Sequence, residues 1–578
     1  LTDVGAVVGV VAVSVATAGV ASRGLRVSRT RDDFLVAARQ VPSALNAAAI
    51  SGEYLSAASF LGVAGLAMAD GIGALWYAVG YAAGYLVLLA VIAAPLRRFG
   101  AYTIPDFAEG RLDSPLLRKV ATGFVLVICG FYLLPQMEGA GVTLQVAFGG
   151  PYWVGVVVLG VVVTGAIASG GMKGITFVQS FEFWLKLVAI ALPAVALVAV
   201  FHHPSLDAVT AKAPAVFERA TTVRFAHQTG IRVTVPVRVA IHGNVDGSEH
   251  QATPAASVEL SPGVHQVGAG SSISFPAGSA APTPTSGALT NRQWLSPLLL
   301  LGGRSIHPLA ATYGIILATF FGALGLPHIL VRFYTNPDGQ TARRTTAIVV
   351  MLLSCFYVWP ALLALLGRVE APGLYLSKAT DTVVLVLPRL AVGGVGERIL
   401  SALVAGGAFA AFLSTSSGLL IATAGALSHD ILSRGVKAFR LSALGAGLVV
   451  TVAGLAVRSS SINVLVGWAF AVAASSFCPL LILGIWWTGL TRRGALAGLL
   501  LGGGSASAAV IAAMAGVATG GWPAVLVQVP AIWTVPLAFT TMIVVSVLTP
   551  RSLPPDVMGK LRALHLPEAL RQPGLTDP

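Results

Sequence analysis

Apolar runs of roughly 20 residues or more, enough to cross a bilayer as helix, recur along the chain between short polar loops. The pattern places them at about 4–22, 42–69, 73–95, 119–148, 152–170, 174–201, 298–330, 345–367, 397–427, 441–457, 462–488, 494–518 and 530–549. That makes thirteen spans, an odd number, so the two ends of the chain are expected on opposite sides. One stretch departs from the pattern. Residues 202–296 are polar and rich in Pro, Gly, Ser and Thr. Within them Ile231-Arg-Val-Thr-Val-Pro-Val-Arg-Val-Ala-Ile241 alternates apolar and polar positions at the strand period. Asn244-Val-Asp-Gly247 then offers turn chemistry, and Gly268 to Thr290 reads as flexible linker. A small extracellular β-rich insert is the expectation, with a wholly disordered loop as the alternative.

Composition agrees with a membrane solvent. Of 578 residues, 56% are hydrophobic and only 10% charged, a surface balance that a soluble protein of this size does not show. The formal charge of +13 does not point to nucleic acid, because the basic residues cluster in alternate short loops. Arg23, Arg26, Arg29, Arg31 and Arg39 follow the first span; Arg97, Arg98, Arg111, Arg118 and Lys119 follow the third; Lys173 follows the fifth. Arg332, Arg343 and Arg344 follow the seventh, Arg434, Lys437 and Arg440 the ninth, and Arg492 and Arg493 the eleventh. The short loops near Asp70, Gly150 and Gly521 have neither Lys nor Arg. By the positive-inside rule the N-terminus lies outside a multi-pass cell-membrane protein, and the tail with Arg551, Lys560 and Arg562 is cytoplasmic. The chain begins at Leu1 without a methionine, which says nothing of a signal peptide. Cys129, Cys355 and Cys478 are far apart and suggest neither a metal site nor a disulfide.

The chemistry is sparse and buried. Ala411, Ser414 and Thr415 stand at i, i+3, i+4 in the ninth span, stacking a carbonyl and two hydroxyls on one helix face. Two accounts fit: a close helix–helix contact through small residues, or neutral oxygens for a small hard cation. Two other spans look interrupted. The second holds Ala47-Ala-Ala-Ile50-Ser51-Gly52-Glu53-Tyr54, with a glycine and a carboxylate at mid-span. The seventh holds Gly322-Ala-Leu-Gly325-Leu326-Pro327-His328, where proline removes a ladder hydrogen bond. Five positions separate the two. Two five-helix units of opposite topology would begin at these spans and place their broken helices in corresponding positions, as inverted-repeat carriers do around a mid-bilayer site.

Ile50-Ser-Gly-Glu-Tyr-Leu-Ser-Ala-Ala-Ser-Phe-Leu-Gly62, Gly325-Leu-Pro-His-Ile-Leu-Val-Arg-Phe333, Ser428-His-Asp-Ile431, Val466-Gly-Trp-Ala-Phe-Ala-Val-Ala-Ala-Ser475 and Leu490-Thr-Arg-Arg-Gly-Ala495 resemble the sodium/solute symporter family, and within it the cation/acetate (monocarboxylate) symporters. These stretches are spread over nearly the whole membrane portion, in the expected order, and the insert is not covered. The resemblance implies an all-α polytopic membrane protein with a LeuT-like 5+5 inverted repeat, one leading helix and two trailing helices. The corresponding divisions are 1–41 (leading helix and loop), 42–201 (first repeat), 202–296 (insert), 297–488 (second repeat), 489–549 (trailing helices) and 550–578 (tail).

It further implies one Na⁺ site, with carbonyls from Ala47, Ile50 and Ala411 and hydroxyls from Ser414 and Thr415. Five neutral oxygens suit a monovalent ion that must leave each cycle, whereas Ca²⁺ would want several acids. A small carboxylate would seek donors where the broken helices meet: Ser51, Gly52, Glu53 and Tyr54, Gly325, Leu326, Pro327 and His328, and Gln136. Phe60, Tyr132 or Trp359 would fill the remaining space. Glu53 reads either as a gating or proton-accepting acid, or as a cap for free N–H groups. Glu138 stands where the acetate symporters are apolar. Glu182 and Lys186, at i, i+4, read as a structural pair, and Arg332 and Asp430 as partners in interfacial salt bridges. His328 is either a donor or proton shuttle, or a satisfied helix-end histidine.

The leading expectation is symport of a short monocarboxylate such as acetate, propionate or pyruvate with Na⁺, H⁺ remaining open because Glu53, Glu138 and His328 leave room for protons. A transporter-like sensor, with an extracellular partner on the insert, is the alternative from another class, and the same fold carrying another small solute is a further one. No paired acids, metal-ligand cluster or nucleophile constellation suggests an enzyme or a cofactor, and no filter loop suggests a channel.

Overall fold

The computed structural model describes residues 3–27, 36–201, 216–225, 227–250, 257–285, 289–299, 307–391, 393–432, 435–456, 462–517 and 520–570. Arg29, Arg31 and Arg434, counted above among the loop arginines, lie outside them. Among the described residues twelve helices are long and apolar enough to cross a membrane, and a bent pair, Ser43–Tyr54 and Ala58–Asp70, supplies a thirteenth span. In chain order the spans are Val4–Ser22, the bent pair, Ile72–Phe99, Pro115–Ala147, Tyr152–Ser169, Gly171–Val200, Pro308–Phe333, Gly339–Glu370, Gly394–Ile431, Val436–Ala456, Ile462–Trp486, Arg492–Met514 and Ala531–Leu548. The fifth and sixth follow each other without a loop. Gly171, at φ 55° and ψ −162°, is the single non-helical residue between them, a conformation a side chain would strain.

Three of the spans begin on side-chain caps. Ser114 accepts the Leu117 N–H with Pro115 at the first helical position, Asp338 accepts the Thr341 N–H, and Thr491 accepts the Gly494 N–H. Burial separates centre from rim. The eleventh, ninth and seventh spans are 89%, 83% and 78% buried within the protein, against 28% for the tenth, so the first group forms the core and the tenth presents its apolar surface outward.

The second span kinks by 68°, and the kink lies later than the sequence suggested. Helix runs unbroken from Ser43 to Tyr54, so Ala47 to Tyr54 is continuous, and the chain unwinds over Leu55 and Ser56 with Leu55 at ψ 84°. The mid-span glycine, Gly52, remains helical. The seventh span is interrupted at the expected place: helix Pro308–Ala323, an unwound Leu324 to Leu326, then helix Pro327–Phe333 with proline at its first position.

The insert folds as an eight-stranded antiparallel sheet: β1 (Thr221–Arg224), β2 (Thr229–Val233), β3 (Val237–Val245), β4 (Ser248–His250), β5 (Ser257–Leu260), β6 (Gly263–Val267), β7 (Ser272–Phe275) and β8 (Thr283–Pro284). The order is β1-β7-β3-β6-β2-β8, with β4 and β5 also paired to β3. One expectation is refined here and one corrected. The alternating stretch 231–241 is two strands, because Thr234 to Pro236 leave the ladder at a proline that cannot donate. The stretch taken for linker supplies β7 and β8, since Ile273 and Phe275 are buried in the sheet's own core beside Val267 and Ile231. Leu376, from the helical turn Gly373–Ser377, completes that core.

Candidate functional site

Because the first half of the second span ends at Tyr54, its last carbonyls have no helical N–H to accept. The Ala47 and Ile50 carbonyls lie too far back: in a helix continuous to Tyr54 they accept from Ser51 and Tyr54. The oxygens presented to the ninth span are those of Gly52 and Glu53. Ser414 Oγ donates to Gly52 O at 2.8 Å, and Thr415 Oγ1 donates to Glu53 O at 2.5 Å. Ser414 also lies 3.2 Å from the Ala411 carbonyl. The spacing read in the ninth span thus meets the broken helix, one turn further along than expected.

A third element enters that the spacing argument missed. Lys186 of the sixth span directs Nζ to Gly52 O, to Leu55 O at 3.0 Å and to Ser414 Oγ at 2.7 Å. It does not pair with Glu182. That carboxylate turns to the first span and accepts from Thr17 Oγ1 at 2.8 Å. Two unit charges 4 Å apart repel by about 4 kcal/mol even at an effective dielectric of 20, so a protonated Lys186 here would oppose a Na⁺ on the same oxygens.

Arg332 is likewise not an interfacial residue. Its Nε donates to Glu53 Oε2 at 2.6 Å with both side chains fully buried. Its other nitrogens donate to Thr176 Oγ1 at 2.9 Å and to Gln179 Oε1. Gln179 Nε2 in turn donates to the Ser414 carbonyl at 2.8 Å. Asn46 Nδ2 donates to the Arg332 carbonyl at 3.1 Å. One buried network therefore joins the first half of the second span, the second half of the seventh, the sixth and the ninth. Gly418 stands against the Glu53 carboxyl, where a Cβ would collide with it. Asp430 is paired elsewhere, with Arg118 Nη2 at 2.6 Å.

Beyond the break, Gln136 Oε1 accepts the free Ala57 N–H at 2.9 Å and its Nε2 donates to Tyr132 O at 3.3 Å, so Gln136 serves the unwound backbone. Tyr54 Oη donates to Tyr81 O at 3.1 Å. The space between the two breaks is closed by aromatic rings: Tyr54 and Tyr132 each pack against Phe470, and Tyr132 meets the His328 ring at 5.3 Å. Phe60 is fully buried nearby, packed at 6.3 Å on Phe356, whereas Trp359 is only partly buried. Ser51 Oγ and both ring nitrogens of His328 are buried with no hydrogen-bond partner among the described residues. Gly325 packs against the Ala473 carbonyl, and Leu326 and Pro327 are buried at the start of the second half-helix.

The model of the Sodium:solute symporter family matches residues 34–242 and 280–502. An uncharacterized symporter of Cupriavidus necator is 29% identical, over 91% of this chain and 90% of its own. The uncharacterized symporter YwcA of Bacillus subtilis is 27% identical, over 89% and 88%. Among solved structures, a Na⁺-coupled sialic acid symporter in a substrate-bound outward-open state aligns with TM-score 0.62 at 13% identity, over 94% of this chain and 98% of that one. Mhp1, a nucleobase-cation-symport-1 transporter, aligns at TM-score 0.50 and 11% identity, over 92% and 97%. These two establish the LeuT-like fold. With thirteen spans and this match, the protein is a multi-pass, cation-coupled membrane transporter and not an enzyme: the chain belongs to the Sodium:solute symporter family.

Proposed function

We propose that the protein is a secondary active symporter that carries a short monocarboxylate, such as acetate, propionate or pyruvate, together with a cation. The observation that carries this reading is the pair of interrupted helices five spans apart, with buried polar groups left without partners beside them. Ser51 Oγ and the His328 ring nitrogens are among the buried groups without a hydrogen-bond partner among the described residues. A carboxylate accepts from such groups and from free backbone N–H groups where the half-helix Pro327–Phe333 begins. The tight aromatic packing around Tyr54, Tyr132 and Phe470 favours a solute of few atoms, admitted when the helices part.

Family membership supports Na⁺ as the coupling ion. One observation favours the proton as a second reading, namely the Lys186 amine already seated on Gly52 and Ser414. In either case the junction of the second and ninth spans is where the cation cycle acts on the helices, and the orientation is that of the loop arginines, N-terminus outside. The β-sheet insert would then face outward, free to meet a partner there.

The test is uptake of radiolabelled acetate and pyruvate into proteoliposomes, with Na⁺ and pH gradients imposed separately. Accumulation of either acid above equilibrium under one gradient is the expected result. If neither acid moves while another small solute accumulates, the monocarboxylate assignment falls; if nothing accumulates under any gradient, the carrier reading falls with it.

A further inference from the structure

A primary ammonium carries three N–H donors and no acceptor. Lys186 Nζ has three oxygen partners, two carbonyls and one hydroxyl. Gly52 O and Leu55 O are carbonyls. Ser414 Oγ places its own hydrogen on Gly52 O at 2.8 Å, and so receives one from Nζ at 2.7 Å. A neutral amine has only two N–H groups and would aim its lone pair at one of these oxygens. With the Ser414 hydrogen on Gly52 O, the set is satisfied by the charged form.

The location matters as much as the count. Gly52 and Leu55 supply the carbonyls at the end of the first half-helix, where the partial negative charge of its C-terminus is concentrated. Ser414 supplies a hydroxyl from the ninth span. These are the kinds of donor, from the same two elements, that a coupling Na⁺ would use. The charged groups facing the ammonium are Glu182, one turn earlier on its own helix and bonded to Thr17 of the first span, and Glu53 of the second span, itself paired with Arg332 of the seventh. From the ninth span it meets the Ser414 hydroxyl.

We propose that Lys186 is the resident cation of this junction: its tethered ammonium ties the broken second span to the ninth, and a free Na⁺ does not bind the Gly52, Leu55 and Ser414 oxygens of this chain. The proposal deepens the symporter reading and rests on it only for the importance of the junction to transport. Na⁺ that drives uptake must then act through other oxygens.

The test is binding rather than uptake, so its outcome is independent of the substrate. Thermal unfolding of the full chain in detergent is followed in NaCl and in choline chloride at equal ionic strength. The difference between the two salts is expected to be the same for wild type and Ser414→Ala. Lys186→Ala, with the ammonium removed and its oxygens exposed, is expected to gain a Na⁺-specific rise of several degrees, which Lys186→Ala/Ser414→Ala loses. A Na⁺ response in wild type that Ser414→Ala abolishes overturns the proposal, as does a folded Lys186→Ala whose response is unchanged. Should Lys186→Ala not fold, the wild-type and Ser414→Ala comparison decides alone. Proteoliposomes that accumulate nothing under any gradient would remove the symporter reading while leaving these binding results to stand.

Discussion

Arg332 and Glu53, 279 positions apart in sequence, form an ion pair of 2.6 Å with neither side chain exposed. It joins the second half of the interrupted seventh span to the first half of the interrupted second. Removing one partner of a buried pair strands the other charge, which costs about 3–5 kcal/mol. Glu53→Ala and Arg332→Ala are each expected to lower the unfolding midpoint sharply in detergent. Glu53→Gln with Arg332→Met, which leaves no charge behind, is expected to recover much of the loss. Equal stability of all three variants would show that the pair does not hold the breaks together.

Ser414 and Thr415 each donate to a carbonyl that the broken helix leaves free. Their loss removes hydrogen bonds that contribute about 1 kcal/mol each. A double Ser414→Ala/Thr415→Ala variant is therefore expected to fold and reach the membrane, but to lose concentrative uptake. Unchanged uptake kinetics and ion dependence in that variant would remove the junction from the transport cycle.

Gly418 gives the Glu53 carboxyl its room. Gly418→Ala puts a methyl group into that space, and overpacking of this kind costs about 1–3 kcal/mol. A lowered midpoint is expected, relieved in Glu53→Gly/Gly418→Ala relative to Glu53→Gly. If the alanine is tolerated without change, the close approach is not a constraint.

The β-sheet insert carries a pH-dependent clasp. Asp246 Oδ2 lies 2.6 Å from His265 Nδ1, and Asp246 Oδ1 accepts the Gln266 N–H at 2.6 Å. Partial burial works to raise Asp246, but the Gln266 N–H and the His265 ring outweigh it and hold the carboxyl below its usual range. Burial works to lower His265, but the Ser261 carbonyl and Asp246 raise it. The clasp therefore contributes fully between the ordinary values, about 3.9 for Asp and 6.5 for His. It is lost as pH rises through the raised value of His265, or falls through the lowered value of Asp246. Hydrogen exchange over residues 237–267 of the full chain, corrected for intrinsic rate, should show wild type better protected than His265→Gln at about pH 5–6, and the difference gone by about pH 9. A difference that grows with alkalinity would contradict the assignment.

The spans were legible because the bilayer demands long apolar runs, and the interrupted seventh because Pro327 marks its restart. The second span's break was less so. Leu55-Ser56 contains no proline or glycine, and its unwinding depends on Gln136 receiving the Ala57 N–H, a contact from another span. Local spacing misled at Lys186, where i, i+4 proximity to Glu182 suggested a pair. The two side chains diverge, one to a bare helix end and one to Thr17. Arg332 was counted with loop arginines because it follows an apolar run, while its partner Glu53 is remote in sequence. The last strands of the insert were hidden by the glycines, serines and prolines around Ile273 and Phe275.

The two halves of the second span answer to different neighbours. The half ending at Tyr54 is held by Lys186, Thr415 and Arg332; the half beginning at Ala57 is held by Gln136 and by Ser59, whose hydroxyl lies 2.9 Å from Tyr357 Oη. Any motion that parts these two groups of helices must be taken up at the non-helical Leu55 and Ser56. They are the elbow of an articulated rod, and stiffening them would arrest the machine without touching either cargo.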